Sequence, residues 1–174
     1  MIAVPDCCTL IYYTKTNLMG LLSKIFDEIW VGARVYDECV RRGKEERKAD
    51  AFIMERIIQE DPKFRVKDIT EKEFQKEIDY FVGPGEAEVY LLSKKQKDTV
   101  VITSDYRAYK KMVTKGANNI ARTDEILLEA LHKGLLDYGD FLDTLVKFGE
   151  IGGTTESRIA FLTKKAMEMK RWEK

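Results

Sequence analysis

The sequence of 174 residues predicts an α/β fold built on a parallel sheet of about four or five strands. Short apolar runs, typical of buried strands, alternate with longer segments whose apolar residues recur at helical spacing. This alternation is the pattern of βαβ units. The sequence carries no repeat, low-complexity linker or convincing domain boundary. We therefore expect a single domain over residues 1–174, with a core at about 1–135 and a helical extension at about 136–174.

Five short apolar runs are the predicted strands: residues 2–4, 29–31, 64–66, 99–103 and 119–121. The run at 99–103 is the clearest, because it consists of β-branched residues. The first run ends at Pro5, which has no N–H to donate, so we expect the pairing of that strand to end or bulge there.

Helices are predicted between and after these runs. Leu18, Leu21, Leu22, Ile25 and Phe26 form an apolar stripe behind Thr16 and Asn17, either of which can cap a helix. Residues 44–61 carry a second stripe, and it consists of Ala49, Phe52, Ile53, Ile57 and Ile58. Thr70 and Glu73 form a capping box, Thr123 to Glu125 cap a helix that ends near Gly134, and further helices follow at about 86–95, 106–115, 139–148 and 155–171.

Composition limits the functional classes. Thirty basic residues balance thirty acidic ones, so nucleic-acid binding would need a local patch rather than a global positive field. Three cysteines match neither a disulfide framework nor a zinc site, and we expect small buried residues. The single histidine, His132, argues against a histidine-based ribonuclease. The chain lacks a secretory signal and an apolar run of about 20 residues, so we expect a cytoplasmic protein without a membrane segment.

Four acids stand where a parallel sheet would gather them. Asp6 and Asp105 directly follow predicted strands, at the edge where ligands of open parallel sheets bind. Glu38 lies early in the helix after the second strand, and Glu86 follows the break at Gly83-Pro84-Gly85. Converging carboxylates repel each other unless a cation compensates them. The pattern therefore predicts a hard divalent ion such as Mg²⁺, which suits phosphate chemistry.

The four acids lie in four segments that together resemble PIN-domain proteins, in the archaeal and bacterial branch typified by the toxin ribonucleases of toxin–antitoxin pairs. The segments are DCCTLI at 6–11, WVGARVYDE at 30–38, GEAEV at 85–89 and ITSD at 102–105. The resemblance implies a three-layer α/β/α fold and an endonuclease that depends on Mg²⁺ or Mn²⁺ and prefers single-stranded RNA.

The resemblance also implies roles for the acids. Asp6 and Asp105 would bind the metal directly, while Glu38 and Glu86 would bind a second ion, hold waters or assist proton transfer. The family commonly has Ser or Thr after its first Asp, where this chain has Cys7, and Thr9 is the nearest hydroxyl. The partners implied are single-stranded RNA, an antitoxin protein that blocks the acidic site and a second copy in a homodimer.

Several alternatives stay open at this point. Glu88 competes with Glu86, and an exposed salt-bridged helix would also explain Glu38. Thr103 and Ser104 could orient Asp105 or only end a strand. Four basic residues near the acids could contact phosphates or could be solvated: Arg41, Arg42, Arg107 and Lys110. The functions that remain are endoribonuclease, in a toxin or in RNA processing, and a non-catalytic RNA-binding or scaffold module. A phosphoacceptor receiver-like domain would need an acidic pair after the first strand, which is not evident.

Overall fold

The computed structural model describes residues 1–81, 83–117 and 119–172. Its centre is a five-stranded sheet in which every neighbouring pair is parallel, and helices cover both faces. The strands are β1 (Ile2–Pro5), β2 (Glu28–Gly32), β3 (Phe64–Lys67), β4 (Thr99–Thr103) and β5 (Ile120–Arg122). The predicted α/β/α fold with a parallel sheet is confirmed, and the predicted strands lie within about one residue of those observed.

The strand order is β3-β2-β1-β4-β5. Successive strands leave β1 in one direction, through β2 and β3, whereas β4 lies on the other side of β1 and is followed outward by β5. The order of the strands therefore reverses between β1 and β4. In open α/β sheets, the crevice at the carboxyl ends of the strands beside such a reversal is where ligands bind.

Pro5 fits in the central strand β1 because its nitrogen, which has no hydrogen to donate, faces β2 rather than β4. The backbone N–H of Asp6 donates to the carbonyl of Ile102 on β4 at 3.0 Å, and N–H groups alternate in direction along a strand, so the Pro5 nitrogen faces β2. The register between β1 and β2 pairs Ile2 and Ala3 only, whereas the register with β4 extends to Pro5. The pairing with β2 ends before Pro5, as predicted.

The helices lie between the strands and after β5. They are α1 (Cys7–Lys15), α2 (Met19–Ile25), α3 (Ala33–Tyr36), α4 (Arg42–Glu45), α5 (Ala49–Glu60), α6 (Glu71–Gln75), α7 (Pro84–Ser93), α8 (Tyr106–Thr114), α9 (Glu125–His132), α10 (Tyr138–Glu150) and α11 (Glu156–Trp172). A π-helical turn, Asp37–Arg41, joins α3 to α4. The capping box of Thr70 and Glu73 on α6 is present as predicted.

The last two helices bury residues in the main core. Phe141, Leu145 and Phe148 of α10 are fully buried, and Leu162 and Ala166 of α11 join the same hydrophobic cluster. The predicted helical extension therefore packs as an integral part of the core.

Several local predictions about helices differ from the structure. Helix α1 was not predicted, because its buried face alternates apolar residues with Thr9 and Thr14 and so lacks a continuous apolar stripe. The chain instead turns at Asn17, whose φ is 58°, and α2 begins without a side-chain cap from Thr16 or Asn17.

The predicted apolar stripe on α5 is also displaced. Phe52 and Ile53 are about half exposed. Ile57 and Ile58 pack on the core as predicted, together with Ala51 and Met54, which were not predicted. The smaller Ala51 allows close approach, and its Cβ would lie 2.7 Å from a Cβ built on Gly43.

Asp124 lies at the N-cap of α9, as expected, but its side chain makes no capping hydrogen bond. Its carboxylate is buried and accepts hydrogen bonds from the Thr154 hydroxyl at 2.6 Å and from Arg158 Nη2 at 2.6 Å. It therefore ties the start of α9 to the start of α11.

Among the described helices, none is long and apolar enough to cross a membrane.

Candidate active-site cleft

Asp6 stands where the strand order reverses, immediately after β1. It is the N-cap of α1, and its Oδ1 accepts the N–H of Thr9 at 2.7 Å. Burial raises the pKa of the Asp6 carboxyl, while hydrogen bonds from Thr103 and Thr9 oppose that rise and the charge of Asp105 adds to it. The carboxylate is therefore held in place by the protein but carries an electrostatic cost that a nearby cation would relieve.

Asp105 occupies the matching position after β4 and caps α8. Its Oδ1 accepts the N–H groups of Arg107 at 2.6 Å and of Ala108 at 3.2 Å. Its own N–H donates to the hydroxyl oxygen of Thr103 at 3.1 Å, and that hydroxyl in turn hydrogen bonds to Asp6. Thr103, which is buried, therefore connects the two aspartates. Capping a helix and lining the cleft are compatible roles here, because each cap uses one carboxylate oxygen.

Glu38 lies in the π-helical turn between α3 and α4 and is exposed. A regular α-helix was expected at this position. Single π-helical turns are rare and occur frequently at functional sites, because the extra residue re-aims the side chains around it. The Glu38 carboxylate points toward the start of α7, where its Oε2 would be 3.2 Å from a Cβ built on Gly85. Glycine at position 85 keeps that approach open.

Glu86 and Glu88 lie on α7, two residues apart and so on nearly opposite faces of the helix. Helix α7 begins at Pro84, after the extended residue Gly83, and Glu86 in its first turn lines the cleft. Glu88 does not line the cleft, because its side chain is fully buried against the junction of β2 and α3. The structure thus separates the two candidates by position.

Glu88 makes contacts that the sequence did not indicate. Its Oε2 accepts the N–H groups of Arg34 at 2.8 Å and of Val35 at 3.1 Å, and its Oε1 lies 3.4 Å from the Arg34 guanidinium. Gly32 makes room for this carboxylate, since any Cβ at that position would overlap it. Burial raises the pKa of Glu88, opposed by the hydrogen bonds from Val35 and Arg34. Glu88 therefore joins the helix that carries Glu86 to the helical run that carries Glu38.

The four predicted acids line one cleft of about 560 Å³. Its walls include all four predicted acids, Asp6, Glu38, Glu86 and Asp105, together with Cys7, Cys8, Arg34, Asp37, Arg42, Glu71, Phe74 and the segment 83–85. Six acidic and two basic side chains line the cleft, so its formal charge is negative. Desolvation by the surrounding protein, with the charges of Asp6, Glu38 and Asp105, raises the pKa of the Cys8 thiol to about 11.

The cysteines are all free thiols. Cys7 and Cys39 are buried as predicted, but Cys8 is exposed at the cleft, so the expectation of burial was wrong for that residue. The Cys7 side chain hydrogen bonds with Cys39, and this contact with burial raises the pKa of Cys7. The Cys7 thiol therefore contacts Cys39 rather than Asp6. The Thr9 hydroxyl donates to the carbonyl of Ile102 at 3.1 Å and lies 2.7 Å from the hydroxyl of Thr123, while its backbone N–H bonds to Asp6. Its substitution for a hydroxyl at position 7 stays a prediction.

The basic residues divide into two groups. Arg42 lines the cleft, and so does Arg34, which was not among the predicted contacts. Arg34 stacks over the Phe74 ring at 3.7 Å and donates to Glu71 at 2.8 Å. Arg41 forms an exposed ion pair with Asp37 at 2.7 Å, while Arg107 and Lys110 are exposed on α8 outside the cleft lining. Their contacts with phosphates stay a prediction.

The donor set of the cleft fits a hard divalent cation. All four acids offer carboxylate oxygens, the ligands that Mg²⁺ and Mn²⁺ prefer. Within the described ranges, no three His, Cys, Asp or Glu side chains form a ready-made cage for an ion. Mg²⁺ in phosphate-processing sites is usually held by only one or two carboxylates, with waters and substrate oxygens completing its shell. The pair Asp6 and Asp105 meets that requirement.

Comparison with known proteins gives one match. A family model described as a PIN domain matches residues 2–150. The matched stretch extends from β1 to the end of α10 and includes all four carboxylates. No curated protein and no solved structure matches the chain.

Proposed function

The chain belongs to the PIN-domain family, and we propose that it is a divalent-metal-dependent endoribonuclease that hydrolyses phosphodiester bonds in single-stranded RNA. PIN domains are generally nucleases and typically use divalent metals. The observation that carries the proposal is the convergence of Asp6, Glu38, Glu86 and Asp105 on one cleft at the point where the strand order reverses.

The two aspartates are the proposed metal ligands. The Asp6 carboxylate accepts the N–H of Thr9, and the Asp105 carboxylate accepts the N–H groups of Arg107 and Ala108. Neither side chain therefore has to be immobilised when an ion binds. Mg²⁺ or Mn²⁺, when bound, supplies positive charge that offsets the negative charge developing on the phosphate. The raised pKa of Asp6 supports this assignment, because a bound cation would offset the electrostatic cost of desolvation and of repulsion by Asp105.

The two glutamates are the proposed acid–base groups. Glu38 is exposed and Glu86 is half-buried, and both line the cleft within reach of solvent. A carboxylate in such a position can orient a water molecule and accept its proton as the water attacks the phosphate. Arg34 and Arg42 on the same walls would hold the neighbouring phosphates of the strand.

The preference for single-stranded RNA rests on the family resemblance. The single histidine, His132, is exposed at the end of α9 and is absent from the lining of this cleft. A carboxylate-based mechanism is therefore the one that these side chains support.

The test uses the purified chain with single-stranded RNA and MnCl₂, with and without EDTA, beside Asp6→Asn and Asp105→Asn. Asparagine is also a good N-cap, so both variants should keep the fold. We expect cleavage that EDTA abolishes and that each substitution lowers by about 100-fold or more. Mn²⁺ binding, measured by electron paramagnetic resonance, should weaken in both variants. This readout does not depend on turnover.

Cleavage that persists in EDTA, or variants as active as the parent, would contradict the mechanism. RNA bound tightly but never cut would instead favour the non-catalytic binding module.

A further inference from the structure

An exposed aromatic ring stands directly beside Asp105, outside the acidic cleft. Tyr106 is the first residue of α8 and is 54% exposed. The face of α8 that packs on the core consists of Ala108 and Met112, so packing does not require an aromatic side chain at position 106. Its ring lies nearly parallel to that of Tyr109, with an interplanar angle of 12° and 6.2 Å between ring centroids.

Cations surround this ring. Lys110 Nζ lies 4.5 Å from the Tyr106 centroid and the Arg122 guanidinium lies 5.9 Å from it. Arg122 Nη2 donates to the carbonyl of Ser104 at 3.3 Å, which fixes the guanidinium at the carboxyl end of β4. Arg107, the residue after Tyr106, is exposed. A chain with no net charge thus places two cations at one exposed ring beside a predicted metal ligand, with a third, Arg107, next to that ring in the sequence.

We propose that Tyr106, extended by Tyr109, is a stacking platform for an unpaired nucleobase of the strand whose phosphate lies at Asp105. The proposal rests on the proposed function, because it places the base next to the phosphate that the acidic cleft would attack. The exposed Lys110 and Arg107 then bind the flanking phosphates, which the negative cleft alone would repel, while the largely buried Arg122 stays paired with Asp124. Such platforms combine a base-stacking aromatic with cations along the backbone.

The platform also accounts for a preference for single strands. In a duplex both faces of each base are covered by the neighbouring base pairs. An unpaired base instead has a free face that can stack on a tyrosine ring. Stacking tolerates every base, since each presents a π-face, so we expect strand selectivity without strong sequence selectivity. Lys110 has a flexible side chain, which can leave the ring face for a phosphate when a base stacks there.

The experiment measures binding of a short fluorescent single-stranded RNA in EDTA by anisotropy, for the parent, Tyr106→Ala and Tyr106→Phe. Phe161→Ala is the matched control, because Phe161 is another exposed ring with two cations near it, Arg158 and Lys165, but lies on α11. We expect Tyr106→Ala to weaken binding about 10-fold, whereas Tyr106→Phe and Phe161→Ala bind like the parent. An RNA without bases should bind all four proteins equally.

A Tyr106→Ala variant that binds as tightly as the parent overturns the platform. So does a Tyr106→Phe variant as weak as Tyr106→Ala, which would assign the effect to the hydroxyl. Because EDTA prevents turnover, failure of the proposed function remains separable. RNA that is never cut but binds through Tyr106 leaves the platform intact, whereas Asp6-dependent cleavage with binding unchanged in Tyr106→Ala removes only the platform.

Discussion

The two aspartates and the two glutamates of the cleft are placed by different means. Asp6 and Asp105 follow neighbouring strands whose register pairs Pro5 with Ile102, so backbone hydrogen bonds bring the two positions together. Each aspartate then caps the helix that follows it. We call this pair the aspartate side. Its geometry therefore depends on the pairing of β1 with β4.

Glu38 and Glu86, the glutamate side, have no such register. They lie on helices from distant parts of the sequence, and the fully buried Glu88 connects these helices through the N–H groups of Arg34 and Val35. A carboxylate that lies outside the cleft thus links the two segments that carry Glu38 and Glu86. The comparison teaches that the aspartate side is placed by strand register, whereas the glutamate side depends on helix packing and on contacts of a buried side chain.

The largest expected effect comes from removing the Glu88 side chain. Glu88→Ala leaves two buried N–H groups and part of the Arg34 charge without an acceptor, so we expect unfolding free energy to fall by about 3 kcal/mol. RNA cleavage should fall about 100-fold, because Glu38 and Glu86 lose their common anchor. Urea denaturation and a cleavage assay measure the two effects.

Glu88→Gln controls for loss of the whole fold, since its amide oxygen can still accept the N–H groups of Arg34 and Val35. We expect it to recover most of the stability. Parental cleavage in a folded Glu88→Ala variant would show that the glutamate side needs no such anchor.

The difference between the two sides also explains what the sequence could predict. A β-branched run followed by Asp105 is a local signal, and so is the apolar run before Asp6. The contacts of Glu88 span 53 and 54 positions, and in the sequence it is only a second glutamate on the same helix. The same limit applies to Asp124, whose partner Arg158 lies 34 positions away. Helix α1 escaped prediction because buried threonines interrupt its apolar face.

A smaller effect should follow from filling the space that Glu88 occupies. Gly32 has φ −60° and ψ 145°, which alanine adopts without strain, so Gly32→Ala acts only through overlap with the Glu88 carboxylate. We expect a loss of about 1–3 kcal/mol in urea denaturation, with weaker cleavage. Gly83→Ala is the control, because a Cβ at Gly83 meets no atom within 4 Å. Equal stabilities of the two variants would contradict the proposed contact.

Gly85→Ala tests the glutamate side without touching Glu88. The new Cβ would lie 3.2 Å from Glu38 Oε2, and this exposed carboxylate can move away at little cost in stability. We expect less than about 1 kcal/mol in unfolding free energy but roughly 10-fold slower cleavage, because a displaced catalytic group lowers the rate steeply. Gly20→Ala in α2, where a Cβ meets nothing within 4 Å, should leave the cleavage rate unchanged. Unchanged cleavage in Gly85→Ala would argue against a role for Glu38.

The smallest effect concerns Glu73, an exposed carboxylate that also links two segments. It caps α6 with Thr70 and pairs with Lys95 beyond α7, and these contacts lower its pKa from 4.5 to about 2. A carboxylate with a lowered pKa stabilises the fold above its unfolded pKa, and that contribution is lost as the pH falls through the folded pKa. Glu73→Gln should therefore lower the urea midpoint slightly at pH 7, and the difference from the parent should shrink below pH 4.5 and vanish near pH 2. Cleavage at pH 7 should change little, because Gln at position 73 can still cap α6, the helix that carries Glu71 and Phe74 of the cleft wall. A cleavage defect as large as that of Glu88→Ala would mean that exposed and buried links matter equally.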